Sequence, residues 1–122
     1  GIKALQINLS KYINAMVREY KRRRDFIVKR LNELNLLTPM PKGAFYTFSN
    51  IQNYSKSASK FAYKLLNEAR VAVIPGSEFG PYGEGYIRCS FATDYKLIEK
   101  AIERVERVLK RVVTKIYIFK II

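Results

Sequence analysis

The strongest constraint on the fold is an apolar stripe that runs through residues 94–112. Its side chains recur at the three-and-four spacing of an α-helix, and charged residues occupy most of the other positions. The stripe consists of Leu97, Ile98, Ala101, Ile102, Val105, Val108, Leu109 and Val112. A helix of this kind must bury its apolar side against another layer, so the chain has to supply that layer. Asp94 precedes the stripe and is predicted to cap the helix.

Two further segments have helical periodicity. Residues 10–37 predict a long amphipathic helix with Ser10 as its N-cap, and its apolar positions are Ile13, Met16, Tyr20, Ile27, Leu31 and Leu34. Pro39 and Pro41 must end this helix by Thr38, because proline removes a backbone donor and restricts the residue before it. Residues 55–70 predict another helix, and the serines at positions 55 and 57 are available as caps.

Three short segments have the composition of strands. Residues 44–49 (AFYTFS) are rich in aromatics, and Gly43 would allow a tight entry into that strand. Residues 71–74 are continuously apolar and end at a Pro-Gly turn, a pattern that predicts a buried strand. Residues 86–91 (YIRCSF) alternate, so one face carries Ile87, Cys89 and Phe91 and the other carries Tyr86, Arg88 and Ser90.

The order helix, strand, helix, strand, strand, helix predicts an α+β fold: a two-layer small domain with a short sheet covered by helices. A chain of 122 residues and 14.2 kDa buries about two thirds of its surface on folding, enough for one core. We assign residues 1–112 to this domain, with the long helix entering at about residue 10. Residues 113–122 form an apolar tail with no helix stop and no alternation, and we expect it to lie outside the core.

Several classes of site are excluded by composition. The sequence has no histidine, which excludes imidazole catalysis, histidine-ligated metals and triads that use histidine. The single cysteine, Cys89, closes no disulfide within the chain and fits a reducing compartment. Its place on the apolar face predicts a small buried hydrophobe rather than a nucleophile. No apolar stretch is long enough to span a bilayer and no signal sequence is visible, so we expect a cytoplasmic protein without membrane contact.

The charge balance raises a second hypothesis for function. The chain has 23 Lys and Arg against 10 Asp and Glu, a net charge of +13, and such a surface attracts nucleic acid and other polyanions. Residues 18–30 hold seven basic side chains, but these are spread around an amphipathic helix, which favours a solvated face. A stand-alone basic module that binds nucleic acid or another polyanion is the alternative, although no motif supports nucleic acid.

Three motifs occur in order along the chain: PKGAFY (residues 41–46), VIPGSEFG (73–80) and GYIRCSFA (85–92). They follow the segment MVREYKRRRDFIVKRLNEL at residues 16–34. Together they resemble the C-terminal small domain of class I/II aminotransferases, the fold-type-I pyridoxal-phosphate enzymes close to aspartate aminotransferase. The resemblance runs from about residue 16 to about residue 109, which is most of the chain.

The resemblance implies that Arg88 binds the α-carboxylate of the substrate and that Phe79 lines the active-site entrance. Alternation independently places Arg88 on the polar face of its strand, and a guanidinium offers a planar fork suited to a carboxylate. The competing interpretation is an arginine that is merely solvated or paired with Glu84. The nearby glycines match no phosphate-binding motif and predict tight turns instead.

Other parts of such an enzyme are missing. The resemblance implies that the Schiff-base lysine, the aspartate at the pyridine nitrogen and the phosphate-binding groups belong to a large domain absent from these residues. We therefore expect the parent enzyme to use pyridoxal phosphate on an amino-acid or 2-oxo-acid substrate, and a homodimer is compatible with it. The isolated chain is expected to bind no cofactor and to be inactive, with no catalytic or metal residue; a folded fragment without present function is a third hypothesis.

Overall fold

A computed structural model of the chain describes residues 2–3 and 9–121, with side chains for residues 2–3 and 9–111. The elements within residues 9–121 are, in chain order, α1 (Ser10–Glu33), β1 (Tyr46–Asn50), α2 (Ala58–Lys64), β2 (Ile74–Pro75), β3 (Tyr86–Ser90) and α3 (Tyr95–Ile121). Leu65–Ala69 continues α2 as a π-helical turn. Two 3-10 turns, Gly76–Phe79 and Pro81–Gly83, connect β2 to β3.

The three strands form one antiparallel sheet in the order β1, β3, β2, so β3 is the central strand. Thr47, Ser49 and Ile87 are buried on the sheet face that the helices cover, whereas Phe48 and Arg88 remain half-buried on the other face. The predicted α+β fold with a sheet layer and a helix layer is confirmed. One face of the sheet is left without a covering layer among the described residues.

The core lies between this sheet and the three helices. It includes Ile27, Leu31, Leu34, Leu36, Ile51, Phe61, Leu65, Ile87, Phe91, Ile98, Ile102, Val105, Val108 and Leu109. Five of the eight positions of the predicted apolar stripe are buried here, whereas Leu97 is 55% exposed and Ala101 is half-buried. The side chain of Val112 lies outside the described residues. Asp94 precedes α3 and its Oδ1 accepts a hydrogen bond of 2.8 Å from the Lys96 N–H, which confirms the predicted cap.

The end of α1 comes before Thr38, as the prolines predict, but short of the predicted extent to residue 37. The helix ends at Glu33, and Asn35 then adopts a left-handed conformation with φ of 58°. The Leu36 N–H donates to the Leu31 carbonyl and the Asn35 N–H donates to the Asn32 carbonyl, at 3.0 and 2.9 Å. These two bonds form a Schellman motif, which satisfies the carbonyls at the end of the helix before Pro39 is reached.

The beginning of α1 also differs from the prediction. Leu9 occupies the N-cap position and Ser10 is already the first helical residue, so the predicted role of Ser10 as cap is wrong. Ile13 and Met16 are 48% and 54% exposed, although the periodicity predicts them on the buried side. The apolar stripe of α1 extends beyond the sheet and core, which cover only its second half.

The start of α2 confirms one predicted cap and adds another. Ser57 is the N-cap, and its hydroxyl accepts from the Lys60 N–H at 3.4 Å. The Glu84 carboxylate, from the loop before β3, accepts from the Ala58 N–H at 2.6 Å. An acidic group at the N-terminus of a helix is stabilised by the helix dipole, so Glu84 joins α2 to the sheet.

Two of the predicted strands need correction. Residues 71–74 do not form a buried strand: only Ile74 and Pro75 pair with β3, Ala72 is exposed and Ile74 is 37% exposed. The segment lies at the edge of the sheet, where no described strand pairs with its outer side. Before β1, the left-handed residue is Ala44, with φ of 62°, so Gly43 does not provide the predicted tight entry.

The tail that the sequence left unassigned continues α3. The helical backbone runs to Ile121 without a break at the expected domain end near residue 112. The side chains after Arg111 and the whole of Ile122 lie outside the described residues. The expectation that the tail lies outside the core therefore stays a prediction.

The loop between β2 and β3 is closed by a backbone contact between two glycines. A Cβ atom at Gly76 would overlap the carbonyl oxygen of Gly83, and a Cβ atom at Gly83 would overlap that of Gly76. The prediction that these glycines serve tight turns is confirmed. Their contact fixes the position of the turn that carries Phe79.

We expect Gly76→Ala to lower the free energy of unfolding by about 2 to 4 kcal/mol, because the new methyl group can only be accommodated by separating two backbone segments. Gly43→Ala is the matched control, since nothing lies within 4 Å of its Cβ position. It should change stability by less than about 0.5 kcal/mol. Urea denaturation followed by circular dichroism measures both, and equal stabilities for the two variants would contradict the close contact.

Candidate functional site around Arg88

Arg88 lies in the middle of β3 on the sheet face that the helices leave open. Its register partners are Phe48 on β1 and Ile74 on β2, so it is flanked by a strand on each side. The next residue, Cys89, points to the helix-covered face, as the alternation predicts. A side chain on a central strand has its backbone fixed on both sides, which restricts where its guanidinium can go.

Four aromatic residues surround Arg88, and we call them the aromatic face: Tyr46, Phe48, Phe79 and Tyr86. The Arg88 Cζ atom lies 5.0 Å from the ring centroid of Phe79 and 5.4 Å from that of Tyr46. Both distances are within the range of cation–π attraction. Phe48 stacks on Tyr86 with centroids 5.3 Å apart and contacts Phe79 edge-on at 6.1 Å, so the rings form one cluster.

The Arg88 guanidinium has no hydrogen-bond or ion-pair partner among the side chains that the structure describes. Glu84, the carboxylate that could have paired with it, caps α2 instead. The guanidinium therefore keeps its planar set of N–H donors available, in a position bordered by aromatic rings. Such a group can bind a carboxylate through two parallel hydrogen bonds.

The opposite face of the same strands packs against the helices. Thr38 Oγ1 donates to the Leu36 carbonyl at 2.6 Å and lies 2.8 Å from Ser49 Oγ. Because a hydroxyl has one proton, Ser49 is the donor in the second bond, and both buried hydroxyls beside β1 are satisfied. Burial raises the pKa of the Cys89 thiol to about 12, although a hydrogen bond with Thr47 acts in the opposite direction. The thiol is thus protonated at neutral pH, and Cys89 packs against the core while being only partly buried.

Cys89 should therefore react slowly with iodoacetamide at pH 8 in the folded chain and rapidly in urea. Because its pKa rises from an ordinary value of 9.0 to about 12 on folding, the folded state holds the proton more tightly than the unfolded state. Stability should then fall as the pH rises from about 9 towards about 12. Mass spectrometry of labelled samples measures the rates, and equal rates with and without urea would contradict the buried thiol.

The basic run of α1 does not form a continuous cationic surface. Of its seven basic residues, six have a carboxylate within 4.0 Å, namely Lys21, Arg22, Arg23, Arg24, Lys29 and Arg30. Hydrogen bonds from Arg22 and then Arg23 lower the pKa of Glu19 to about 2, so that carboxylate is ionised at neutral pH. The six basic residues share three carboxylates on the helix, Glu19, Asp25 and Glu33, together with Glu106 on α3, so part of the charge on this helix is compensated locally.

The described lysines are not enclosed by other side chains. They are exposed except Lys64, which is half-buried at the end of α2, so none is enclosed as a Schiff-base lysine would be. No group of three acidic or cysteine side chains within the described part of the chain could hold a metal ion. No helix in that part is long and apolar enough to cross a membrane.

Sequence reasoning identified Arg88 and Phe79 but not the rest of the aromatic face. Tyr46 is 37% exposed and Phe48 is half-buried. Both lie beside Arg88 on β1, the strand that pairs with β3. The signal was present, because alternation within residues 44–49 places these two aromatics on one face. What the sequence lacked was the register that brings this face next to Arg88.

Comparison with known proteins identifies the family. A family model described as aminotransferase class I and II matches residues 2–105, which is most of the chain. An α+β fold with an arginine presented on an open sheet face is consistent with an enzyme that binds carboxylates. The chain belongs to the class I and II aminotransferases.

Individual relatives agree with this assignment. The aromatic-amino-acid aminotransferase 2 of Thermococcus litoralis is 50% identical over 98 residues, which are 80% of this chain and 25% of that enzyme. The aspartate aminotransferase of Pyrococcus abyssi is 49% identical over 100 residues, or 82% of this chain and 26% of that enzyme. The chain thus spans about a quarter of the length of these curated relatives.

A solved structure confirms the fold. The crystal structure of the aromatic aminotransferase from Pyrococcus horikoshii superposes with a TM-score of 0.86 at 53% identity. The match covers 89% of this chain and 29% of that one. The chain therefore has the fold of a fragment of a larger enzyme.

Proposed function

We propose that this chain is the C-terminal small domain of an amino-acid aminotransferase and that Arg88 binds the substrate α-carboxylate. The observation that carries the proposal is the free guanidinium of Arg88, held at the centre of the open sheet face. A carboxylate is common to amino acids and 2-oxo acids, so one arginine can serve both halves of an amino-group transfer. The parent enzyme would use pyridoxal phosphate, which supplies the electron sink for that reaction when bound to its large domain.

The surroundings of Arg88 suit this role. The rings of Phe79 and Tyr46 attract the positively charged guanidinium. They carry no carboxylate that would compete with the substrate for it. When a second domain covers the aromatic face, water is displaced and the bond between guanidinium and carboxylate becomes stronger. Phe79, 53% exposed at the end of its turn, would then line the entrance for the substrate.

We infer the substrate class of the parent enzyme from the names of its relatives. Those that match this chain include an aromatic-amino-acid aminotransferase and an aspartate aminotransferase, whose substrates differ in side chain but share the α-carboxylate. An anchor for the α-carboxylate is compatible with either. We expect the side-chain preference to depend on residues outside this chain, and a homodimer of the parent enzyme is compatible with the proposal.

Arg88→Lys is the direct test of the carboxylate role. The experiment uses a chimaera in which residues 2–111 of this chain replace the corresponding segment of the Pyrococcus horikoshii aromatic aminotransferase. Lysine keeps the positive charge but loses the fork, so kcat/KM for amino and 2-oxo acids should fall roughly thirty-fold, or about 2 kcal/mol. The melting temperature should change little, because half-exposed charges contribute little to folding.

Arg107→Lys is the matched control, since Arg107 is 72% exposed on α3 and forms only a long ion pair with Glu103 at 3.9 Å. It should leave kcat/KM unchanged. A chimaera in which Arg88→Lys lowers the melting temperature markedly and leaves kcat/KM intact would show Arg88 to be a structural residue.

The isolated chain should neither form a specific Schiff base with pyridoxal phosphate nor transfer amino groups, because its described lysines are not enclosed. Incubation with pyridoxal phosphate, reduction with borohydride and peptide mapping should show low labelling spread over several surface lysines. One lysine labelled stoichiometrically, together with turnover, would contradict the assignment of the cofactor site to a missing domain.

A further inference from the structure

Phe48 lies directly opposite Arg88 in the sheet. The two residues are register partners on β1 and β3, and their side chains lie on the same open face. Directly opposite residues of an antiparallel pair are close enough to interact. The cation–π contacts of the Arg88 guanidinium nevertheless go to Tyr46 and Phe79, at 5.4 and 5.0 Å. The orientation of the Phe48 ring therefore has to be explained by other contacts.

The ring of Phe48 is turned along the sheet towards Tyr86. The two rings stack with their centroids 5.3 Å apart and an interplanar angle of 15°. In the register, Tyr86 lies on one side of the pair formed by Phe48 and Arg88, and Tyr46 lies on the other side. The stacked rings thus occupy the Tyr86 side, and the Arg88 side chain extends to the Tyr46 side.

Phe48 also supports the second ring that the guanidinium contacts. Phe79 comes from the turn between β2 and β3 and is 53% exposed. Its ring meets that of Phe48 edge-on, with centroids 6.1 Å apart and an interplanar angle of 74°, an arrangement that aromatic pairs prefer. Phe79 therefore contacts both the ring of Phe48 and the guanidinium of Arg88.

The contacts of Phe48 belong to the aromatic face rather than to the core. Phe48 is half-buried, and among the described residues it is outside the cluster of buried and partly buried side chains that form the core. A smaller side chain at position 48 would leave no cavity between the sheet and the helices. Removal of this ring should therefore affect the aromatic face more than the stability of the fold.

We propose that Phe48 is a positioning residue for the carboxylate site: its ring directs the guanidinium of Arg88 towards Tyr46 and Phe79 before a substrate binds. Phe48 acts in two ways, by occupying the Tyr86 side of the pair and by supporting Phe79. An arginine side chain has many rotamers, and confining it in advance reduces the conformational entropy that is lost on binding. The inference rests on the proposed function, which makes a carboxylate the ligand of this guanidinium.

The first test measures the mobility of the Arg88 side chain in the full chain without substrate. ¹⁵N relaxation of its Nε–H group, assigned by the loss of that signal in Arg88→Lys, should show restricted motion. Arg107, which is 72% exposed on α3, provides the reference for a mobile arginine. Phe48→Leu should raise the mobility of Arg88 to that of Arg107, whereas Phe48→Tyr keeps the ring and should preserve the restriction.

Phe48→Ile repeats the removal of the ring with a side chain that suits a strand, so the test does not depend on the stability of one variant. Both variants should release the Arg88 side chain. Equal mobility of Arg88 with and without a ring at position 48 would overturn the proposal.

The second test uses the chimaera described for Arg88. The carboxylate is bound in the substrate and in the transition state alike, so Phe48→Leu should raise KM about five- to tenfold and change kcat by less than about twofold. Phe48→Tyr should restore KM. Tyr63→Leu, the matched control, removes a ring that is 66% exposed on α2 and should leave KM unchanged. A Phe48→Leu chimaera with a lower melting temperature and an unchanged KM would show a structural role only and overturn the proposal.

A double variant shows whether Phe48 acts through Arg88. Arg88→Lys removes the planar fork that Phe48 is proposed to direct, so adding Phe48→Leu to it should lower kcat/KM by less than about a further twofold. If Phe48→Leu lowered kcat/KM as strongly in the Arg88→Lys background as in the unchanged chimaera, Phe48 would act independently of Arg88 and the proposal would fail.

The outcome is separable from that of the proposed function. Side-chain relaxation reports on the position of Arg88 without any substrate, while kcat/KM of Arg88→Lys reports on the carboxylate role. An Arg88 side chain that Phe48→Leu releases, combined with normal kcat/KM in Arg88→Lys, would retain the positioning and reject the carboxylate role. Activity that depends on Arg88, combined with a mobility that Phe48 does not affect, would reject the positioning and retain the carboxylate site.

Discussion

The pairing of β3 on both sides is the interaction on which the rest of the structure depends. Five register pairs join it to β1 and two join it to β2, which fixes the direction of every side chain along it. Ile87 and Cys89 thereby contact the core, and Arg88 is held on the opposite face. A shift of one residue in this register would exchange the two faces, placing the guanidinium in the core and Ile87 in solvent. Core packing therefore also holds the proposed carboxylate site in place.

The connection between β2 and β3 adds the second part of the site. Gly76 and Gly83 contact each other through their backbones, and Glu84 caps α2 from the same loop. These two contacts bring the turn that ends at Phe79 over the sheet, where its ring meets Arg88 and Phe48. The two glycines thus contribute by allowing a close backbone contact, which places the aromatic ring of Phe79 beside the cationic group of Arg88.

Three apolar surfaces of the fold remain open: the aromatic face, a groove between residues 71–73 and α3, and the first half of α1 with Ile13 and Met16 exposed. For a domain of this size, exposed apolar regions are typical of interaction sites. The chain covers about a quarter of the length of its relatives. A fragment that has a core of its own and exposed apolar outer faces is consistent with that share. The family assignment and the exposed surfaces thus have one physical explanation.

The sequence by itself determined the α+β fold, the order of its elements, the family and the face on which Arg88 lies, because periodicity and alternation report directly on which side of an element is apolar. It failed where a neighbour decides the outcome. Residues 71–74 have buried-strand composition but lie at an edge, and α1 ends at Glu33, where backbone hydrogen bonds from Asn35 and Leu36 close the helix before the prolines are reached. Only the tertiary structure showed that Tyr46 and Phe48 border Arg88 and that Glu84 caps α2, since strand register and loop contacts join residues far apart in the chain.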